Sequence, residues 1–168
     1  MYRTRIFIVV LLLMAMALPA TALKVVSKHP YTASIVVDPD TGQVICEENA
    51  DAELYPASVI KLMTLLLVVE RIETGEIKLD EMVTVTREAA VIGGSQVYLK
   101  ENEKFTVDDL LYALMIKSAN DVATCLAVHV SGSQAEFVKL MNRRAAELGM
   151  KSTEFHTPHG LPPSGKGK

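Results

Sequence analysis

Ser58 and Lys61 stand three residues apart in the stretch YPASVIKLMTLLLVVE, residues 55–70. On a helix that spacing places both side chains on one side, one turn apart. A lysine is out of place there. The start of a helix carries roughly half a positive charge and disfavours a cation by about 0.3–1 kcal/mol. The residues after it are almost all apolar, and burial also disfavours the ammonium form. Lys61 either reaches out to solvent along its aliphatic stem or is held as a neutral amine. A neutral amine one turn from a serine can take the hydroxyl proton and make a nucleophile of an otherwise unreactive alcohol. Ser58 alone would be an ordinary helix N-cap.

A second set of candidates is Ser118-Ala119-Asn120, at a break between two predicted helices. Read alone, Asn120 is an N-cap with a neighbouring serine. Asp121 reads as an acid that favours the helix start. Ser95 and Gln96, in a glycine-containing loop, can border a cleft, but nothing in the sequence gives them a role. His156 and His159 are three apart with Pro158 between them, and no further ligands of suitable spacing accompany them, so a zinc site is not expected.

The elements that must position these residues follow from patterning. TASIVVDPDTGQVICEEN predicts a hairpin, with strands at 33–37 and 43–47 and the turn residues DPDTG between them. Pro56 keeps Tyr55 out of the helical region. A helix then runs from Ser58 to about Glu73, apolar nearly all round and therefore expected to be buried on all sides, and Gly75 stops it. Met82–Thr86 alternates like a short strand, and residues 91–104 read as a loop. Thr106 with Asp109, and Ser133 with Glu136, have capping-box spacing ahead of two further helices, and Gly149 closes the second. Between them a helix follows Asn120, with Val122, Leu126 and Val130 at spacing four. A hairpin followed mostly by helices is an α+β or α/β arrangement with helices against a sheet.

The first 22 residues have the form of an export signal. Arg3 and Arg5 precede the apolar run Ile6–Leu18, and Ala20-Thr21-Ala22 is a small-x-small cleavage site. The run is shorter than the roughly 20 residues a membrane span needs. Cleavage after Ala22 would remove two arginines and move the formal charge from −3 to −5. No basic patch is present, so nucleic acid is not an expected partner. Cys46 and Cys125 form no recognisable disulfide framework, and Cys125 reads as a small buried hydrophobe.

Three segments in order, DPDTGQVICEENADAELYPASVIKLMT, GGSQVYLKENEKFTVDDLLYALMIKSANDVA and LGMKSTEFHTPHGLP, resemble serine-type D-alanyl-D-alanine carboxypeptidases, the low-molecular-mass penicillin-binding proteins. The resemblance covers roughly residues 33–162. It implies the serine β-lactamase/D,D-peptidase-like fold, an α/β (α+β) architecture. It implies Ser58 as nucleophile, Lys61 as general base, Ser118 as proton relay to the departing D-alanine and Asn120 as holder of the substrate amide. The implied substrate is a peptidoglycan stem peptide ending in D-Ala-D-Ala, the implied inhibitors are β-lactams, and no metal or cofactor is called for. The implied location is exported, in the bacterial periplasm or on the outer face of the cytoplasmic membrane.

The family's third element, Lys-Thr-Gly on a later strand, does not occur in the sequence. The expectation is therefore a truncated fold: residues 1–22 a signal peptide and residues 23–168 a partial catalytic domain. The hairpin and helical subdomain would be present, while the later sheet strands and any C-terminal membrane-anchoring segment would be missing. The alternatives are a related D,D-endopeptidase, a β-lactamase using Glu154, whose expected companion asparagine is replaced by Pro158, and a fragment that recognises penicillin or peptidoglycan without turning over.

Overall fold

The computed structural model describes residues 31–162, so the export-signal reading of residues 1–22 lies outside the described residues. The chain divides into two compact units at Leu54/Tyr55.

The first unit holds the hairpin. Strands β1 (Ser34–Val37) and β2 (Val44–Glu48) pair antiparallel, with Ser34 opposite Glu48 and Val36 opposite Cys46. Asp38 makes the turn, because its carboxylate accepts the backbone N–H groups of Asp40 and Thr41 at 2.9 and 3.0 Å. Those bonds to the charged form hold its pKa below the ordinary carboxylate value.

The second unit begins with a 3-10 turn, Ala57–Ile60, which runs directly into helix α1 (Lys61–Glu73). The remaining elements are β3 (Met82–Thr84), the short helix α2 (Arg87–Ala90), β4 (Lys104–Thr106), α3 (Val107–Lys117), α4 (Asn120–Ser131) and α5 (Gln134–Glu147). β3 and β4 pair antiparallel, with Val83 opposite Phe105. Residues 91–104 are a loop as expected except at the end, where Lys104 already pairs with Thr84. The short helix α2 was not expected. Thr86 caps it by accepting the N–H of Ala89.

Helix α4 is the centre of this unit and packs against α1, α2, α3, α5 and β3. Asn120 to Ala127 are all buried, and the small side chains Ala123, Thr124, Cys125 and Ala127 let its neighbours approach. One cluster joins Val68, Val83, Val107, Leu110, Leu114, Val122 and Leu126; a second joins Met63, Leu67, Phe137, Met141 and Phe155. Each fully buried side chain of this size contributes about 1.5–3 kcal/mol. Cys125 is part of the first cluster, and burial pushes its thiol up to about 11, so it is an inert packing residue. Both cysteines are free thiols.

The predicted caps at Thr106 and Ser133 form: each hydroxyl accepts the N–H three residues on. Two expectations for α1 need correction. Ser58 is not its N-cap but lies inside the 3-10 turn, whose cap position is Pro56. The helix is not buried on all sides either. Met63, Leu67 and Val68 are buried while Val59 and Leu62 face outward, so this unit covers one face of the apolar surface.

Candidate active site

Ala57 enters the 3-10 turn at φ 48, a left-handed value that costs a non-glycine residue about 1–2 kcal/mol. The turn then presents Ser58 exposed at its surface while Lys61, one turn on, is buried at 2% exposure. Lys61 does not reach solvent. Its Nζ donates to Ser58 Oγ at 3.2 Å and to the carbonyl oxygen of His159 at 2.9 Å. Burial lowers its pKa from the ordinary lysine value. Ser58 occupies the first turn, where a backbone N–H has no carbonyl partner in its own helix. That N–H is suited to receive a developing oxyanion.

The carbonyl that holds Lys61 belongs to residues 157–161, a segment that carries part of the resemblance but whose place in the site the sequence did not show. Thr64 grips the same segment from α1, its buried hydroxyl donating to Pro158 O at 2.7 Å. Thr157 Oγ1 donates to Leu161 O and accepts from Gly160 N–H, both at 3.0 Å. His159 Nδ1 accepts the N–H of Leu161 at 3.1 Å, which fixes the neutral ring with its proton on Nε2. Gly160, at φ 86, lies so close to the turn that a Cβ there would fall 2.1 Å from Ala57 O. The breaker residues Pro158 and Gly160 were the available signal, because they mark a shaped turn. His156 is exposed, and no group of three potential metal-binding side chains occurs among the described residues.

His159 is buried, and desolvation together with the nearby Lys61 charge pushes its pKa down to about 4. An unfolded chain takes up this proton near pH 6.5, whereas the folded chain resists it until about pH 4. The stability from the neutral ring is therefore complete above pH 6.5 and is lost as the pH falls towards 4. We expect His159→Gln to flatten the acid limb of the stability curve by up to roughly 3 kcal/mol over that window. Denaturant melts from pH 7 to pH 4 check this, and parallel curves for the two proteins would refute it.

The Ser118–Asn120 turn is reached through the same segment. A Cβ placed on Gly94 would lie 3.6 Å from Leu161 Cδ2 and 2.6 Å from Asn120 Nδ2, so Gly94 is packed between them. Ser118 ends α3 in a left-handed conformation, φ 56, with its side chain half-buried. No hydrogen bond among the described residues joins it to Ser58 or Lys61. Asn120 does not cap α4: Ala119 holds that position without a side-chain bond. Asn120 is instead buried, and its Nδ2 donates to Gly93 O at 2.8 Å.

Asp121 serves the helix start as expected and does more. Its buried carboxylate does accept the helix-start N–H of Val122, but it mainly binds loop amides, those of Val97 and Leu99. Ser95 is tied to the same turn, its hydroxyl donating to Lys117 O and its carbonyl accepting Asn120 N–H. Glu154 is exposed on the surface, its nearest ionic neighbour being His156 at 3.9 Å.

A serine and a buried lysine are thus in contact at a helix start, and Gly94 lies between the Asn120 side chain and the segment that holds the lysine. The family model for D-alanyl-D-alanine carboxypeptidases matches residues 20–166. The chain is 41% identical over 137 residues to D-alanyl-D-alanine carboxypeptidase DacF of Bacillus subtilis (strain 168), covering 82% of this chain and 35% of that protein. Among solved structures, D-alanyl-D-alanine carboxypeptidase DacD from Francisella tularensis superposes with a TM-score of 0.78 at 32% identity, over 90% of this chain and 37% of that one. Penicillin-binding protein D2 from Listeria monocytogenes, in its ampicillin-bound form, gives a TM-score of 0.70 at 36% identity, over 80% and 54%. The chain thus spans about a third of the length of the curated relatives it matches. The fold agrees with the expected serine D,D-peptidase-like architecture, and the chain belongs to the D-alanyl-D-alanine carboxypeptidase family.

Proposed function

We propose that the protein of which this chain is a part is a serine D-alanyl-D-alanine carboxypeptidase of cell-wall biogenesis, with residues 23–168 a portion of its catalytic domain and residues 1–22 an export signal. Its place is then outside the cytoplasmic membrane. The observation that carries this reading is the contact between an exposed Ser58 hydroxyl and a buried Lys61 amine, 3.2 Å apart. A neutral Lys61 takes the hydroxyl proton as Ser58 Oγ attacks the carbonyl between the last two D-alanines of a stem peptide. The tetrahedral oxyanion forms beside the Ser58 N–H. Ser118 passes a proton to the departing D-alanine nitrogen, and water then hydrolyses the acyl-enzyme.

Asn120 holds the substrate's peptide amide in this scheme; its bond to Gly93 O uses one of the two Nδ2 hydrogens and orients the side chain. The Lys-Thr-Gly element that completes the family's site is not in this sequence. β-Lactams acylate the same serine, a reading supported by the ampicillin-bound relative. A β-lactamase reading has less support, since Glu154 is exposed on the surface.

Intact-mass spectrometry after penicillin treatment tests the nucleophile. The wild-type protein gains one penicillin per molecule and Ser58→Ala gains none. A stable adduct on Ser58→Ala would remove Ser58 from its role.

A further inference from the structure

The loop before β4 and the Ser118–Asn120 turn are bound to each other residue by residue. Every second residue from 93 to 99 takes part. Gly93 O accepts from Asn120 Nδ2 at 2.8 Å, and Ser95 O accepts from Asn120 N at 2.7 Å. Ser95 Oγ donates to Lys117 O at 2.8 Å. Val97 N donates to both Asp121 oxygens at 3.3 and 3.2 Å, and Leu99 N donates to Oδ2 at 3.0 Å. Tyr98, between those two amides, is held at φ 62, a genuine outlier for a bulky aromatic residue. Such a conformation persists only where the surroundings over-determine it.

Asp121 supplies that constraint. It is 1% exposed, and the partners of its carboxylate are backbone N–H groups, with no ion pair to it among the described residues. A buried carboxylate is tolerated when several N–H groups point at it. A carboxylate can receive all of them because it is an acceptor at both oxygens, whereas an amide accepts at only one. An apolar residue would satisfy none of these amides, and packing alone does not call for an acid at this position.

We propose that Asp121 is the positioning residue of the Ser118–Asn120 turn. By clamping Val97 and Leu99 it fixes the loop, and through the Gly93 and Ser95 bonds the loop fixes Asn120 and the end of α3 that bears Ser118. This rests on the reading of Ser118 and Asn120 as parts of a peptidase site. Asp121 touches no reacting atom. It acts by holding the turn in the geometry that the acylation step requires.

The test is Asp121→Asn, which keeps the shape and removes one acceptor, compared with Leu126→Ala, which destabilises the same helix from the core and leaves the Asp121 carboxylate and its bonds in place. The first measurement is amide hydrogen exchange. Val97, Leu99 and Asn120 amides should exchange at least about tenfold faster in Asp121→Asn and be unchanged relative to their neighbours in Leu126→Ala. The second is the rate of penicillin acylation per folded molecule, well below the melting temperature. It should fall roughly 10- to 100-fold in Asp121→Asn and stay at the wild-type value in Leu126→Ala.

Unchanged exchange at Val97 and Leu99 overturns the proposal, and so does an acylation rate equal to that of Leu126→Ala. If the wild-type protein itself fails to react with penicillin, the peptidase reading falls. The exchange measurement still decides whether Asp121 holds the turn.

Discussion

Gly160→Ala is expected to reduce penicillin acylation at least about 100-fold, although Gly160 touches no reacting atom. The added Cβ would meet Ala57 O at 2.1 Å and Ala57 C at 2.6 Å, and both are backbone atoms that cannot rotate aside. The left-handed φ of 86 adds strain for any residue with a side chain. Relief requires the Pro158–Leu161 segment to lift away from the Ser58 turn. Lifting it pulls the His159 carbonyl from Lys61 and the Pro158 carbonyl from Thr64. A displacement of about 1 Å in a positioned catalytic group can cost on the order of 100-fold in rate. Stability should fall by about 2–4 kcal/mol. Gly132→Ala is the control: it has a similar φ of 77 and open space around it, so it carries strain without a clash. Acylation rates and thermal melts of the two variants make the comparison. A Gly160→Ala protein that acylates at the wild-type rate would show that this packing does not hold the site.

Lys61→Met is expected to reduce acylation by about 10²–10⁴-fold, the usual range for a general base. Its effect on stability should be small, because two contributions oppose each other. Methionine fills similar space without a charge to desolvate, which favours the fold. The His159 carbonyl loses its donor, which costs about 1–3 kcal/mol. The variant therefore separates chemistry from folding.

The wild-type pH profile follows from the direction of the lysine shift. Burial favours the neutral amine, so the base is available below the ordinary lysine pKa of 10.5. As pH falls below the lowered value the amine protonates, and acylation falls tenfold per pH unit. The residual reaction of Lys61→Met should show no such limb. Stopped-flow acylation from about pH 5 to 9 checks both curves, and a flat wild-type profile would leave Lys61 as an electrostatic neighbour only.

What the sequence revealed depended on whether residue type alone carried the information. The hairpin was legible because the turn-rich DPDTG separates two short runs of strand-forming residues, and it formed within one residue of its expected bounds. The Ser58–Lys61 contact was legible because a lysine in an apolar helix start is an anomaly that calls for a reason. The third partner of that contact was not, because it is a backbone carbonyl, which every residue possesses. Asp121 was legible only in its service to the helix start: an acid there fits the helix dipole, and nothing local shows that its carboxylate also binds a loop more than 20 residues earlier. The 3-10 turn was hidden because its spacing of Ser58 and Lys61 resembles that of an α-helix. Strand β4 is only three residues long and has too little alternation to stand out.

The bond from Lys61 to the His159 carbonyl joins residues 98 apart. That separation bears on the order in which the molecule comes into being. Helices form locally and early, whereas contacts between distant residues must first overcome the entropy of closing the intervening chain. Helix α1 can therefore exist before the segment around His159 docks on it. Until then Lys61 is hydrated, and the burial that favours its neutral amine is missing. On the proposed chemistry, a chain caught partway through folding has its serine and lysine already one turn apart, yet that serine is still a plain alcohol. On that chemistry the serine is activated only once the His159 segment has docked, and a covalent β-lactam label would count the docked molecules and pass over the others.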